Sequence, residues 1–344
     1  MGTRIGMWHT RLLVASGFVL LIWVELQAED SVVVLDQQGR RFTRVGAVLS
    51  YDAELLRMKL TSGAISRVPA DRVLEVSTMK VEAHKEADRL FGEGDFRRAR
   101  SRYQSAYRSE FRSWVRQQIV AQSILCSVAV GDVRQASTTF VALMRQHPKS
   151  RFKYVIPLAW RTVEAPRSFR EVADRWLEDG QQLPVARLIA ASWRLSGDAR
   201  REALVVLENL ASLPDYLGQL ASAQIWRTQV TRAAGNDLAR WAGDVDRLPR
   251  DLRAGPTYVL AQTYVRYRQP DQAALAYLRV AFTSPQPDLI PYALAGAGQV
   301  LHQSGRFAEA KRIYFELVNR YPDAPPAQEA EEGLRQIRNS SHAR

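Results

Sequence analysis

Residue types that commonly carry out catalysis or bind metals are few in this sequence and lie far apart. The 344 residues include five histidines and one cysteine, and no two histidines have the spacing of paired metal ligands. The sequence also lacks a phosphate-binding P-loop, a dinucleotide-binding glycine fingerprint and a Gly-x-Ser-x-Gly turn around a nucleophile. It therefore predicts a protein that is not an enzyme and that uses no metal or cofactor.

The only thiol belongs to Cys126, which lies in an apolar stretch of helical character beside Ile124, Leu125 and Val128. A single cysteine in such a stretch is typical of core packing rather than of a nucleophile. A single cysteine also rules out an intrachain disulfide.

Arginine and aromatic residues form a denser chemical pattern between residues 97 and 116. The residues concerned are Arg97, Arg98, Arg100, Arg102, Tyr103, Tyr107, Arg108, Phe111, Arg112, Trp114 and Arg116. Guanidinium groups bind carboxylates through paired hydrogen bonds and stack on aromatic rings, so such a face can bind an acidic peptide. The alternative is that the aromatic rings belong to the core and the arginines form its solvated side.

Small, turn-forming and aromatic residues recur at matching spacings in five parts of the chain. In the clearest copy, Gly298 lies on a first helix, Gly305 and Phe307 mark a turn, and Ala310 and Tyr314 lie on a second helix. The turns of the other copies are Gly94-Asp95-Phe96, Gly131-Asp132-Val133, Gly197-Asp198 and Gln269-Pro270-Asp271. Each copy predicts a helix-turn-helix unit whose small residues lie where two helices approach closely.

This pattern resembles the tetratricopeptide (TPR) repeat, whose period is about 34 residues. The resemblance implies a mainly α chain with a TPR-like α-solenoid of stacked helix-turn-helix repeats over residues 81–325. Residues 326–344 are then a capping helix and tail. The alternative is an irregular helical bundle.

The repeat pattern is weaker in the middle of the chain. Residues 149–183 contain prolines and many aromatic residues, and Phe169–Glu178 has the apolar spacing of a helix. Residues 216–233 and 237–248 have the pattern of a further helix pair, separated at Gly235-Asn236, a typical helix stop. These features predict diverged repeats of the same solenoid.

The N-terminal part has two different patterns. Residues 1–28 contain basic residues followed by the apolar run Leu12–Val24, as in a secretory signal peptide; an uncleaved anchor is the alternative. Residues 29–80 contain short β-type runs separated by turn residues at roughly ten-residue intervals. These runs predict a small β domain that loosely resembles SH3-like or Sm-like barrels.

The net charge is +12, and the basic residues are 42 arginines and 6 lysines. Residues 1–28 hold two arginines and one glutamate, so the charge is +11 without them. A basic, exported protein is expected to bind anionic partners, such as an acidic protein, and to associate peripherally with the cell envelope. Nucleic acid is not an expected partner.

A ligand of a repeat scaffold is expected on the concave surface that the first helices form. The positions predicted to be exposed there are Tyr258, Gln262, Arg266, Ala295, Gln299 and His302. Arg266 would pair with an acidic group, and Gln262 and Gln299 would hydrogen-bond an extended backbone. The alternatives are that these are simply solvated residues, or that the site lies on the face of Arg97, Arg98 and Arg102.

The residues that follow the last repeat carry a second resemblance. Tyr321-Pro322-Asp323-Ala324-Pro325 and then Glu329-Ala330 resemble the ending of bacterial envelope TPR proteins, including the Tol–Pal-associated division coordinator and outer-membrane assembly lipoproteins. This resemblance implies an exported, non-enzymatic scaffold for protein–protein interaction in the periplasm or on the cell surface. The alternatives are a structural subunit of a larger envelope assembly, or a protein that binds wall polymers through its N-terminal β domain.

Overall fold

The computed structural model describes residues 29–342, so the predicted signal peptide lies outside the described residues. The described chain begins with five strands: β1 (Asp30–Leu35), β2 (Arg41–Tyr51), β3 (Leu55–Leu60), β4 (Ile65–Pro69) and β5 (Val73–Ser77). They form one antiparallel sheet in the order β4-β3-β2-β1-β5. Gly46 allows β2 and β3 to approach, because a Cβ atom there would lie 2.1 Å from the carbonyl oxygen of Lys59.

The sheet has one buried face and one solvent-exposed face, as the alternation of its residues dictates. The buried side chains include Val32, Val34, Val48, Leu56 and Met58. Because a unit of about 50 residues is marginally stable by itself, its packing against the helices is an essential part of its stability.

Fourteen α-helices follow in the described part of the chain. They are α1 (Glu82–Gly92), α2 (Phe96–Ser109), α3 (Ser113–Ala129), α4 (Val133–Gln146), α5 (Arg167–Glu178), α6 (Pro184–Arg194), α7 (Arg200–Ala211), α8 (Tyr216–Gln229), α9 (Gly235–Arg247), α10 (Ala254–Arg266), α11 (Pro270–Thr283), α12 (Ile290–Gln303), α13 (Phe307–Arg320) and α14 (Ala327–His342).

Helices that follow one another in sequence pack together as antiparallel-type pairs joined by short turns. The five copies of the sequence pattern coincide with five of these pairs, namely α1–α2, α3–α4, α6–α7, α10–α11 and α12–α13. The alanines at the predicted close contacts, Ala99, Ala136, Ala203, Ala273 and Ala310, have no exposed surface. First helices of neighbouring pairs also touch, since α8 contacts both α6 and α10, and α12 contacts α14.

Four of the five turns between these paired helices share one backbone geometry, and the turn between α6 and α7 differs, since Gly197 has a φ of 122°. Gly94, Gly131 and Gly305 have φ angles of 80°, 76° and 75°, in the left-handed region that favours glycine. At the matching position before α11, Arg268 takes the same conformation with a φ of 52°. Asp95 then caps α2 by accepting a hydrogen bond from the backbone of Arg98.

The β sheet and the first helices share one hydrophobic core. Val34 and Met58 of the sheet belong to the same buried cluster as Leu90, Tyr103 and Ile119 of the helices. The indole Nε1 of Trp114 donates to the carbonyl oxygen of Val48 at 3.1 Å, and the Val48 backbone N–H donates to the Asp30 carboxylate at 2.7 Å. The side chains of Trp114 and Asp30 thus hydrogen-bond β2 at Val48, just beyond Gly46, where the pairing of β2 with β1 ends.

The middle of the chain differs from the predicted series of diverged repeats. Residues 150–166, here called the inserted segment, have no α-helix and only a short 3-10 turn at Lys153–Val155. The single helix α5 follows, at the position that the apolar spacing predicts. Gly235 begins α9 rather than ending the helix before it, so its interpretation as a stop signal was wrong.

Candidate functional site

The inserted segment lies across the helices α6, α8, α10 and α12. Side chains of α6 and α8 hydrogen-bond its backbone: in α6, Trp193 Nε1 donates to the Pro157 carbonyl at 2.8 Å, and Ser192 Oγ accepts from the Ala159 N–H at 3.2 Å. Arg227 donates to the Arg161 carbonyl at 2.6 Å. A segment of the protein's own chain therefore occupies surface on four of these helices.

The side chains of the inserted segment are equally well packed. Ile156 and Trp160 are buried, and the guanidinium carbon of Arg161 lies 3.6 Å from the centre of the Tyr292 ring. Burial lowers the pKa of Arg227, which hydrogen-bonds this segment, to about 10. The segment is thus part of the core.

Tyr258 of α10 is buried, so the expectation that it is exposed for ligand binding was wrong. Its ring packs edge-on against Tyr277 at 5.6 Å, and burial raises its pKa to about 12. The physical reason is that the inserted segment and α11 enclose this part of α10. Gln262 is half-buried and Arg266 is exposed on the same helix.

Gln299 and His302 lie together in a groove between α12, α13 and α14, here called the C-terminal groove. Its volume is about 920 Å³. Gln303 lies one turn after Gln299 on α12, and α14 forms the opposite wall with Glu329 and Glu332.

The floor of the C-terminal groove is aromatic. Tyr314 of α13 is flanked by Gly298 of α12 and Gly333 of α14, and a Cβ atom at either glycine would lie 2.5 Å from its ring. These glycines allow both helices to close on the ring. The imidazole of His302 packs edge-on against Phe307 at 5.6 Å and against Tyr314 at 6.3 Å.

The walls of the groove carry free amide groups. Within residues 29–339, the side chains of Gln299, Gln303 and Gln328 make no hydrogen bond to another residue. Each amide can donate and accept, which suits the alternating N–H and C=O groups of an extended peptide. Rings on the floor and a few polar groups on the walls are typical of a ligand-binding pocket.

The groove has an acidic wall. Arg335 hydrogen-bonds Glu332 at 2.9 Å, which lowers the pKa of that carboxyl group and keeps it ionised. Glu329 forms no ion pair within the described residues and adds a second negative charge. The carboxylates of the groove thus outnumber its arginine, and we expect a ligand with basic or neutral groups here rather than the acidic ligand proposed for Arg266.

The residues on α14 were missed as site residues because the sequence pattern assigned that helix to capping. A usable signal was present, since Glu329 and Glu332 are three residues apart and therefore share one helix face.

The arginines of the first repeat are mostly engaged in ion pairs. Arg98 pairs with Asp95 at 3.2 Å and Arg102 with Glu86 at 3.0 Å, whereas Arg97 is exposed and forms no ion pair within residues 29–339. Tyr103 and Trp114 are buried, as the alternative interpretation of this face predicts, whereas Tyr107 and Phe111 are exposed, so that alternative holds for only part of the face.

Metal-ligating side chains are not clustered in the described part of the chain. No cluster of three or more histidine, cysteine or carboxylate side chains there is placed to hold a metal ion. Cys126 is buried, and burial raises the pKa of its thiol to about 12, which keeps it protonated.

No protein-family model matches the chain, and no curated protein shows significant sequence similarity to it. Among the described residues, every helix is too short or too polar to cross a bilayer.

Proposed function

We propose that this protein is an exported, non-enzymatic scaffold that binds an extended segment of a partner protein in the C-terminal groove. We also propose that the helix pairs form a TPR-like solenoid, interrupted by the inserted segment and α5, and that the five strands have an SH3-like arrangement. The observation that carries the proposed function is the groove itself, in which free glutamine amides surround a buried aromatic floor.

The location of the groove supports this function. Over α6 to α12 the inserted segment occupies helix surface that a ligand would otherwise contact. Beyond it, α12 and α14 contact each other and still leave a cavity of about 920 Å³ between them. The lining of the groove on α12 runs from Ala295 to Gln303, about 12 Å of helix at roughly 1.5 Å per residue, so three or four extended residues of roughly 3.3 Å each fit along it.

The inserted segment indicates how these helices hold extended chain. Trp193 donates to a backbone carbonyl of the segment and Ser192 accepts from a backbone N–H. In the C-terminal groove, Gln299 and Gln303 supply the same two functions from positions that are one helical turn apart. Glu329 and Glu332 would then select a lysine or arginine of the partner.

Site-specific photo-crosslinking tests this function. A photoreactive amino acid at Gln303 should crosslink one defined partner in bacterial envelope extracts, and mass spectrometry would identify the partner and the crosslinked peptide. A synthetic copy of that peptide then serves as the ligand in fluorescence anisotropy.

Replacement of both Gln299 and Gln303 by alanine should weaken binding of that peptide at least tenfold, which corresponds to roughly 1.4 kcal/mol. Gln104→Ala, at an exposed glutamine of α2, is the matched control and should leave the affinity unchanged. Arg266→Glu should also have no effect, because Arg266 lies outside the groove. Equal affinities of the double variant and the control would exclude the groove as the binding site.

A further inference from the structure

The exposed face of the β sheet carries cations whose charges are not neutralised. Arg57 of β3 and Arg67 of β4 are direct cross-strand partners, and both are exposed. Lys59 lies two residues along β3, on the same face. Within residues 29–339, none of these three side chains forms an ion pair.

Two arginines placed directly opposite each other in a sheet repel and destabilise it. The carboxylates in the turn beside them are already engaged, since Glu54 pairs with Lys149 and Asp52 accepts hydrogen bonds from its own turn. The arrangement is therefore unfavourable in the free protein and becomes favourable next to an anionic surface.

Apolar side chains lie among these cations. Val45, Leu49 and Ile65 are 42%, 49% and 49% exposed. Ile65 is the cross-strand partner of Lys59, which is in turn the partner of Ala47 in β2. Leu49 lies at the β-bulge of β2, where the strand register shifts and its side chain is left without a partner in β3.

The apolar surface continues from the sheet into a cleft of about 550 Å³, lined by Leu49, Met79 and Phe111. Met79 is 65% exposed and Phe111 is 83% exposed. Arg112 also lines the cleft and is bonded to Glu110, Thr78 and the carbonyl of Met79, so its charge is neutralised within the protein. The outer sheet face and this cleft together form one surface of cations interleaved with apolar side chains.

We propose that this surface, here called the basic sheet face, docks the protein on an anionic phospholipid bilayer. A bilayer presents phosphate groups directly above an apolar layer, so it matches both the arginines and the exposed apolar side chains. A nucleic-acid backbone would match only the cations, and an acidic protein would match both only if an apolar patch lay among its carboxylates. Docking by the β domain leaves the C-terminal groove, at the other end of the chain, free for a partner.

Vesicle sedimentation tests this proposal on the chain that begins at Glu29, since the apolar residues before it would bind lipid by themselves. The probes are vesicles of equal parts phosphatidylglycerol and phosphatidylcholine, and vesicles of phosphatidylcholine alone. We expect binding to the anionic vesicles, weakened by added salt, and at least tenfold weaker binding to the neutral vesicles.

Two variants separate the contributions of charge and of apolar contact. The triple variant Arg57→Gln, Lys59→Gln and Arg67→Gln should bind the anionic vesicles at least tenfold more weakly. Leu49→Ser combined with Phe111→Ser should also weaken binding, at unchanged net charge. The matched control, Arg201→Gln, Lys311→Gln and Arg312→Gln, removes the same number of charges from exposed helix positions and should bind as the unmodified chain does.

Three outcomes would overturn the proposal. One is failure of the unmodified chain to bind the anionic vesicles, and another is equal loss of binding in the control and the triple variant. The third is unchanged vesicle binding by both the triple charge variant and the Leu49→Ser, Phe111→Ser variant, when circular dichroism shows that both are folded. Retention on immobilised heparin without vesicle binding would identify the face as a site for another polyanion.

Discussion

Gly255 lies on α10, where the inserted segment approaches the helix most closely. A Cβ atom at this position would lie 1.9 Å from the indole ring of Trp160, which is itself buried. The absence of a side chain at one residue therefore determines whether the segment can pack on the helix.

Gly255→Ala should lower the free energy of unfolding by about 1–3 kcal/mol, because the Trp160 ring must move within a packed core. Gly243→Ala is the matched control, since the nearest atom to its Cβ would be the far end of the Arg247 side chain at 3.9 Å. This control should raise stability by about 0.5–1 kcal/mol, because alanine favours helix over glycine. Chemical denaturation measures both changes, and equal effects would contradict the described packing of Trp160.

At the scale of the helix pair, the turn and the close-contact alanine were predictable from the sequence. The left-handed conformation at Gly94 and Gly305 follows from residue type and position. Arg268 was not predictable as a left-handed residue, because only the packing of α10 against α11 imposes that conformation on a residue with a side chain.

Ala310→Leu should lower the free energy of unfolding by about 1–3 kcal/mol, because Ala310 is fully buried at a helix–helix contact and a larger side chain overpacks it. Glu309→Gln, the neighbouring control, removes an exposed ion pair with Arg306 and should cost less than about 1 kcal/mol. Thermal unfolding of the two variants compares them directly. If both variants melt at the temperature of the unmodified chain, α13 does not pack through this face.

At the scale of the whole molecule, the sheet and the groove lie in different regions of the chain and expose different chemistry. The basic sheet face comprises residues 45–67 together with Met79 and Phe111, and the C-terminal groove belongs to residues 295–336. Arg57, Lys59 and Arg67 lie on the sheet, whereas Glu329 and Glu332 line the groove, so a single net charge of +12 does not describe what either surface binds.

Export is the prediction that concerns the entire chain. N-terminal sequencing of the protein from its natural source should find a mature chain that begins near Glu29, since the preceding residues have the three-part pattern of a signal peptide. Cell fractionation should place that chain outside the cytoplasm. An intact chain that starts at Met1 in the cytosolic fraction would contradict the prediction.

The sequence by itself predicted the helix pairs, the β domain and the buried character of Cys126 and Tyr103. These features depend on local spacing and residue type, because helices and strands bury one side of a short repeating pattern. Two residues of the candidate site, Gln299 and His302, were predictable for the same reason, since exposed positions on one helix follow from its periodicity.

Only the tertiary structure determined which of the predicted binding surfaces are exposed to solvent and which residues they bring together. Tyr258 is buried because α11 packs against its helix and residues 150–166, distant in sequence, cross the same helices. Glu329 and Glu332 join Gln299 only because α14 folds back against α12. Likewise, Arg57 lies opposite Arg67 because of the register between two strands. These contacts depend on which elements pack together and on the register between strands, and the period of a single helix or strand encodes neither.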